Sequence, residues 1–199
     1  MPATSTLQPD RYHRGDTGDF RQVDSDGTDN AVYGWAGGVV YRNVAAGTAH
    51  TNSTTETLLG SYSIPADTLK AGSVIKVRYQ GIATATNGTD TLLVKLYIGG
   101  LSGTALLTGT ATDVANDNIF AGECTIVIRT AGASGTLVAV GTHTDVPAAS
   151  GTATQGITEI TASTTVDTTA AQVIGVGADW SAASASNSCR LDILVVEIY

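Results

Sequence analysis

The chain has 199 residues, a formal net charge of −8, and charged residues make up only 14% of it. This acidic balance disfavours nucleic acid as a partner, because phosphate binding needs clustered Lys and Arg, and the chain has ten in all. No apolar stretch approaches the length of a membrane span, so no membrane partner is expected. A hydrophobic fraction of 42% argues against a disordered chain.

The character of the sequence changes near residue 37. Residues 1–37 are polar, acidic and aperiodic, whereas residues 38–199 contain short apolar runs separated by Gly, Asn, Asp and Ser. Thr is abundant in these runs, and its branched side chain favours strands. The pattern predicts an extended polar N-terminal arm (residues 1–37) in front of one all-β domain (residues 38–199).

Candidate strands follow one another through the domain. Residues 73–85 alternate clearly, which predicts that Ile75, Val77 and Tyr79 share one face. The dipeptide Asn87-Gly88 then predicts a hairpin that returns through residues 91–98. The remaining candidate strands are residues 38–44, 54–63, 104–112, 121–130, 136–144, 155–166, 171–180 and 188–199.

Eight to ten short strands without a helical period are typical of an antiparallel β-sandwich. A jelly roll suits this number of strands, and an immunoglobulin-like sandwich is the alternative. The Trp and Cys positions differ from the immunoglobulin arrangement, which favours the jelly-roll-like fold.

Two sets of residues bear on metal binding and redox chemistry. Cys124 and Cys189 each begin an apolar run, which predicts buried thiols. A disulfide between them is the alternative, but their spacing does not support it. The acidic segment from Asp24 to Asp29 could gather oxygen ligands around Ca²⁺, but it departs from the EF-hand pattern. A solvated acidic turn is the default interpretation, so no metal and no cofactor are expected.

The sequence contains no recognisable catalytic constellation. A nucleophile elbow, a P-loop and a dinucleotide-binding glycine pattern are all missing. A glycosidase would need two carboxylates that face one cleft. The strand-borne acids are Glu123, Glu159, Asp192 and Glu197, and the sequence leaves open whether any two face each other. We therefore expect no catalytic residues and a non-enzymatic protein.

Aromatic residues in the arm indicate a binding role. Tyr12, Phe20, Tyr33 and Trp35 punctuate polar sequence that cannot form a core by itself. Aromatics spaced along an extended segment suit anchoring to another surface. The alternative, which is nearly as favoured for Tyr33 and Trp35, is that they pack against their own domain.

The last candidate strand has apolar residues on both faces, and a strand of this kind is buried on both faces. Simple alternation places Leu191, Ile193 and Val195 on one side. Leu194, Val196 and Ile198 then lie on the other side, where we expect a neighbouring subunit of a homotrimer. Cover by the chain's own arm or a loop is the alternative.

In style, the region 62–199 resembles the small jelly-roll virion proteins of tailed bacteriophages, which include capsid decoration (cement) proteins and head fibres. The resemblance rests on SYSIPADTLKAGSVIKVRYQG, TNGTDTLLVKLYIGG, CTIVIRTAGASGTLVAVG and the terminal LDILVVEIY. It implies trimers that decorate and stabilise a capsid by binding the major capsid protein. It implies no catalytic residues. The expected location is the capsid surface of a virion, after assembly in the host cytoplasm, because no secretion signal is visible.

A receptor- or glycan-binding jelly-roll module of a tail or head fibre is the alternative function, since jelly rolls also serve as lectins. Trp180, near Asp179 and Asn187, is the one group that suggests a sugar site. A core tryptophan at a strand end is the preferred interpretation of Trp180.

Overall fold

The computed structural model describes the backbone of residues 11–13, 20–23, 29–31, 38–86, 89–114, 118–146 and 154–199. Side chains are described for residues 38–86, 89–114, 118–145 and 164–199. These parts contain one short 3-10 helix and the following strands: β1 (Arg11–His13), β2 (Phe20–Val23), β3 (Asp29–Ala31), β4 (Gly38–Arg42), β5 (His50–Thr51), β6 (Thr57–Ile64), β7 (Val74–Thr84), β8 (Thr91–Ile98), β9 (Thr104–Thr108), β10 (Thr112–Asp113), β11 (Asn118–Thr130), β12 (Gly135–Val146), β13 (Thr154–Val166), β14 (Gln172–Trp180) and β15 (Ser188–Ile198).

The fold is a sandwich of two antiparallel sheets, which confirms the predicted jelly-roll-like all-β class. The large sheet has the order β13-β12-β11-β7-β15-β4, with β5 beside β15. The small sheet has the order β10-β8-β14-β6, with β9 also on β8. The described residues include no helix of the length and apolarity that a membrane crossing requires.

The core lies between the two sheets and is built by alternation. Along β7 the side chains of Ile75, Val77 and Tyr79 are buried while those between them are exposed, as predicted. Trp180 is 1% exposed at the end of β14, which confirms it as a core tryptophan. Cys124 and Cys189 are free buried thiols, and burial raises the pKa of each to about 12.

The predicted hairpin at Asn87-Gly88 is wrong in its pairing. Strand β7 belongs to the large sheet and β8 to the small sheet, so the chain crosses between the layers here. Asn187 sits at this crossing and donates a hydrogen bond from Nδ2 to Asp90 Oδ2 at 2.9 Å, with both residues buried. Alternation predicts which side chains of a strand are buried. It does not tell whether two successive strands pair in one sheet or face each other from opposite sheets, because their apolar faces are buried in both arrangements. Asn87 and Gly88 themselves lie outside the described residues.

The last strand contains an irregularity that alternation did not predict. The register of β15 against β7 shifts between Leu191 and Ile193, which is the signature of a β-bulge at Asp192. The Asn43 side chain stabilises it, because Asn43 Nδ2 donates to the Asp192 carbonyl at 2.7 Å. Asn43 Oδ1 accepts a hydrogen bond from the Leu194 amide at 2.6 Å. The bulge places Leu191 and Leu194 on the same, inward side.

This bulge corrects the subunit interface predicted for β15. Leu194, Val196 and Ile198 are 1%, 0% and 4% exposed and belong to the protein's own core. Side chains enclosed in this way cannot meet a neighbouring subunit. The outward apolar residues of the strand are instead Ile193 and Val195.

The arm region contains secondary structure that its aperiodic sequence did not predict. Strands β1, β2 and β3 pair in an antiparallel three-stranded sheet. Tyr12 lies in β1 and Phe20 begins β2. The side chains of both residues, all of Tyr33 and Trp35, and the acidic loop at residues 24–28 lie outside the described residues.

Candidate functional site

The outward side of the large sheet is the most distinctive surface of the described residues. We call it the large-sheet face; it consists of the outward side chains of β7, β11, β12 and β15, with Val39 of β4 and Tyr199. Along β7 the outward positions are polar, Lys76, Arg78 and Gln80. Two shallow depressions of about 470 and about 550 Å³ lie side by side across it.

Apolar side chains are concentrated on this face. Seven large apolar side chains are exposed in the described part of the chain, and five of them lie here. These five are Val39, Ile119, Val140, Ile193 and Tyr199. Single exposed apolar residues are ordinary, and a surface that carries several of them is a candidate contact site for another molecule.

Charged groups at the centre of the face pair with one another. Arg78 and Glu123 are direct register partners across β7 and β11. Arg78 Nη2 lies 3.8 Å from Glu197 Oε1, and its side chain remains 65% exposed. Glu123 and Glu197 therefore face one depression, with Arg78 between them. The sequence left open whether any two strand-borne acids share a surface, and these two do.

Tyr199 extends the face at the end of β15. Its hydroxyl donates a hydrogen bond to Glu197 Oε2 at 2.8 Å, which raises the pKa of the phenol. The Lys76 ammonium lies 5.3 Å from the centre of the Tyr199 ring, a cation–π distance. The aromatic ring is thus held over the sheet by one acid and one base.

A buried polar chain lies beneath this face and was not predicted from the sequence. Tyr79 Oη lies 2.9 Å from His143 Nδ1, and His143 Nε2 lies 3.0 Å from Asp145 Oδ1. Thr112 donates to the other Asp145 oxygen at 3.2 Å. Burial raises the pKa of the Tyr79 hydroxyl well above its usual range. Tyr79 and His143 are only 2% and 1% exposed. This series of hydrogen-bonded side chains therefore stabilises the interior, and a substrate cannot reach it.

Glycine makes room for this chain. A Cβ atom on Gly122 would lie 2.3 Å from the Tyr79 hydroxyl oxygen, and one on Gly109 would lie 2.6 Å from His143 Cδ2. Real Cβ atoms essentially never come this close, so a side chain at either position would displace the Tyr79 or the His143 ring. These two glycines are the sequence signal for the buried chain, but their partners are far away along the sequence.

The outward side of the small sheet carries a second polar cluster that the sequence did not reveal. Glu56 accepts hydrogen bonds from Tyr97 Oη at 2.7 Å and from Lys95 Nζ at 3.2 Å. Lys95 also lies 3.9 Å from Asp179 Oδ1. Burial raises the pKa of Asp179, against the opposing attraction of Lys95. We call these four residues the small-sheet cluster.

Metal binding finds no support in the described residues, where no group of three or more His, Cys, Asp and Glu side chains is placed to hold an ion. The segment from Asp24 to Asp29, named as a possible calcium loop, lies outside the side chains described.

The chain matches no family model and no curated protein. Among solved structures it is similar to one described as the structure of infectious bursal disease virus Gt strain. That similarity has 11% sequence identity and a TM-score of 0.34, and covers 94% of this chain and 41% of the viral chain. It is also similar to the metal-free form of lectin I-B4 from Griffonia simplicifolia. Here the identity is 9% and the TM-score 0.29, over 96% of this chain and 92% of the lectin.

Proposed function

We propose that the protein is a non-enzymatic structural component of a phage virion, which decorates and stabilises the capsid as an oligomer. The observation that carries this proposal is the large-sheet face, on which five of the seven exposed large apolar side chains of the described residues are gathered. The face is wide and shallow, as a surface for another protein is. The sequence resemblance to phage decoration proteins supports the virion and the major capsid protein as the partner.

The residues of the face suit protein contact better than chemistry. Ile193 and Val140 are 44% and 53% exposed, and they stand on either side of Arg78 and Glu123. Apolar anchors surrounded by charged and polar groups are the usual anatomy of a protein interface. We propose a homotrimer as the assembled form, since multivalent binding multiplies weak single contacts on a repeating lattice.

Particle binding tests this proposal. Purified phage particles that lack the protein are mixed with it, and the bound copies are counted by quantitative mass spectrometry after sedimentation. Wild type should bind at coat-like copy number, and Ile193→Asp should bind at least about tenfold more weakly, as loss of an interface anchor predicts. Val44→Asp is the matched control, because Val44 is 96% exposed and lies off the face. Low, fibre-like copy number, or equal binding by both variants, would contradict capsid decoration.

The arm has its own test in the same assay. Deleting residues 1–37 should leave the all-β circular dichroism spectrum and the oligomer intact, while it strongly weakens particle binding. Light scattering should give a mass about three times the 20.2 kDa of the chain. Unchanged binding by the truncated protein would assign all coat contacts to the folded domain.

A receptor- or glycan-binding module is the second candidate function. The observation that favours it is the pair of depressions lined by Gln80, Arg78, Glu123 and Thr142, which offer amide, guanidinium, carboxylate and hydroxyl groups. Such groups bind sugar hydroxyls, and Tyr199 supplies a ring nearby. Glycan-array binding that Glu123→Gln abolishes would favour this function over capsid decoration.

A further inference from the structure

The large-sheet face stays open in the complete chain. The exposed fractions that define it, such as 44% for Ile193 and 53% for Val140, are those of all 199 residues together. An open apolar face gains free energy when another surface covers it. The shape, the area and the charges of the face indicate which surface fits.

The shape and area of the face suit a second copy of the same chain. Two copies carry the same right-handed strand twist, and sheets of like twist pack face to face about 10 Å apart with their strands within about 30° of each other. Four strand spacings from β4 to β12 cover about 19 Å, and the 11 residues of β7 cover about 36 Å. The projected area is roughly 700 Å² per copy, within the roughly 600–1,000 Å² per partner that stable protein interfaces bury.

The charge of the face also favours contact between identical chains. The face and its border carry five basic and four acidic residues, a net charge of +1, whereas the whole chain carries −8. Chains of the same net charge repel each other, so they approach at the lowest electrostatic cost through surfaces that carry little of it. The basic residues are Arg42, Lys76, Arg78, Arg129 and Arg190, and the acidic ones are Glu123, Asp192, Glu197 and, by its register with Val140, Glu159.

The strand order defines an arrangement in which these charges match. The centre of the face has the order β12-β11-β7-β15. A two-fold axis parallel to the strands, between β7 and β11, sets β7 of one copy over β11 of the other, and β12 over β15. Arg78 and Glu123 are register partners on either side of this axis. Each arginine therefore lies over the partner's Glu123, and symmetry forms the pair twice.

We propose that two copies of the free protein pack large-sheet face against large-sheet face about this axis, with Arg78 of each copy paired with the partner's Glu123. The Arg78 side chain is 65% exposed, and 3.8 Å separates it from Glu197, so it is free to reach across. The same arrangement covers Val140 on β12 and Ile193 on β15. Where the proposed homotrimer forms through another surface, the pairing joins two trimers, and a capsid competes for the same face.

Charge reversal and mixing test the pairing without any particle. In sedimentation velocity experiments over a range of concentrations, wild type should form a species of twice the unit mass as its concentration rises. Arg78→Glu and Glu123→Arg should each weaken this association at least about tenfold, because each sets like charges opposite one another twice. An equal mixture of the two variants should associate again, since every contact then joins an acidic and a basic side chain. Recovery in the mixture cannot arise within one chain.

Lys70→Glu is the matched control, since it makes the same charge change at an exposed residue in the turn before β7, and it should associate like wild type. Circular dichroism checks that each variant is folded. The proposal is overturned if the mixture sediments like the separate variants, if wild type keeps one mass at every concentration, or if Arg78→Glu associates as strongly as Lys70→Glu. Particle binding is measured separately, so failure of the pairing leaves the proposed virion function standing.

Discussion

The two outward faces of the sandwich are built in different ways. On the small sheet, Glu56 accepts hydrogen bonds from Lys95 and Tyr97, and Tyr97 is only 6% exposed. Asp179 Oδ1 lies 3.9 Å from Lys95 Nζ and has no hydrogen-bond partner among the described residues. On the large sheet, Val140 and the other apolar residues of the face stand open between charged groups. Side chains that mostly bind one another offer less to a partner, whereas an open apolar face gains free energy when it is covered.

Glycine explains part of this difference. Gly175 and Gly177 occupy outward positions of β14, and the side chains of Leu58 and Tyr97 close over them. A Cβ atom on Gly177 would lie 3.0 Å from both Glu56 Oε1 and Tyr97 Cε2. The small sheet thus covers its own central strand, while the large sheet carries full-sized side chains outward on every strand of its face. The comparison shows why the large-sheet face, which the fold does not cover in this way, is the candidate binding surface.

The largest expected effect is the difference in stability between substitutions on the inward and the outward side of β15. Val196→Asp should lower the free energy of unfolding by at least about 3 kcal/mol, because it leaves an unpaired charge in the core. Ile193→Asp, three residues earlier on the open face, should change it by about 0.5 kcal/mol or less. Urea denaturation measures both. Similar losses for the two variants would show that the outward side of β15 is also buried.

A smaller difference in stability is expected between substitutions on the two outward faces of the sandwich. Glu56→Gln removes the charged acceptor of Lys95 while the amide oxygen can still accept from Tyr97. We expect a loss of about 1 kcal/mol, a low value because both side chains are partly solvated. Glu123→Gln on the open large-sheet face should cost about 0.5 kcal/mol or less in the same urea experiment. A reversed order would mean that the small-sheet cluster does not stabilise the fold.

The smallest effect is a dependence on pH. The pKa of Asp179 is raised, so the folded chain holds that proton more tightly than the unfolded chain, and its contribution to stability falls as pH rises above about 3.8. The stability of Asp179→Asn relative to wild type should therefore increase with pH through that window and then level off. Urea midpoints measured at a series of pH values give this difference.

Asp167→Asn is the control of opposite sign. A hydrogen bond from Thr169 lowers the pKa of Asp167, so its contribution is present above pH about 3.8 and is lost as pH falls through the lowered value. Its variant should lose stability relative to wild type as pH rises. If the stability of both variants relative to wild type changed with pH in the same direction, the opposite pKa shifts of Asp179 and Asp167 would be contradicted.

Alternation made much of the fold predictable. The buried positions of β7 and β8 follow from period-2 patterns in the sequence, because successive side chains of a strand point to opposite faces. The candidate strands 121–130 and 136–144 correspond to β11 and β12, which pair with each other, and Gly132 in the turn between them has a φ of 116°, a conformation that favours glycine. The splitting of residues 104–112 into β9 and β10 was not predicted.

The candidate site was less predictable than the fold. Arg78 and Glu123 were visible as outward strand residues, but the pairing of β7 with β11 is what sets them opposite each other. The bulge at Asp192 depends on Asn43, which is distant in sequence and supplies hydrogen bonds from a different strand end. Sequence periodicity carries no information on such a partner. Simple alternation therefore placed Leu194, Val196 and Ile198 on the side opposite to Leu191, whereas the bulge turns them to the same inward side.

The sequence by itself determined that this chain is an all-β sandwich with buried thiols, because those properties depend on local alternation and on apolar content. Only the tertiary structure decided which sheet each strand joins, which side of β15 meets the core, and which outward face is left open. Those properties depend on contacts between strands far apart in the chain, such as Asn43 with Asp192 and Asp90 with Asn187. The local pattern is compatible with several such pairings, and packing free energy selects one.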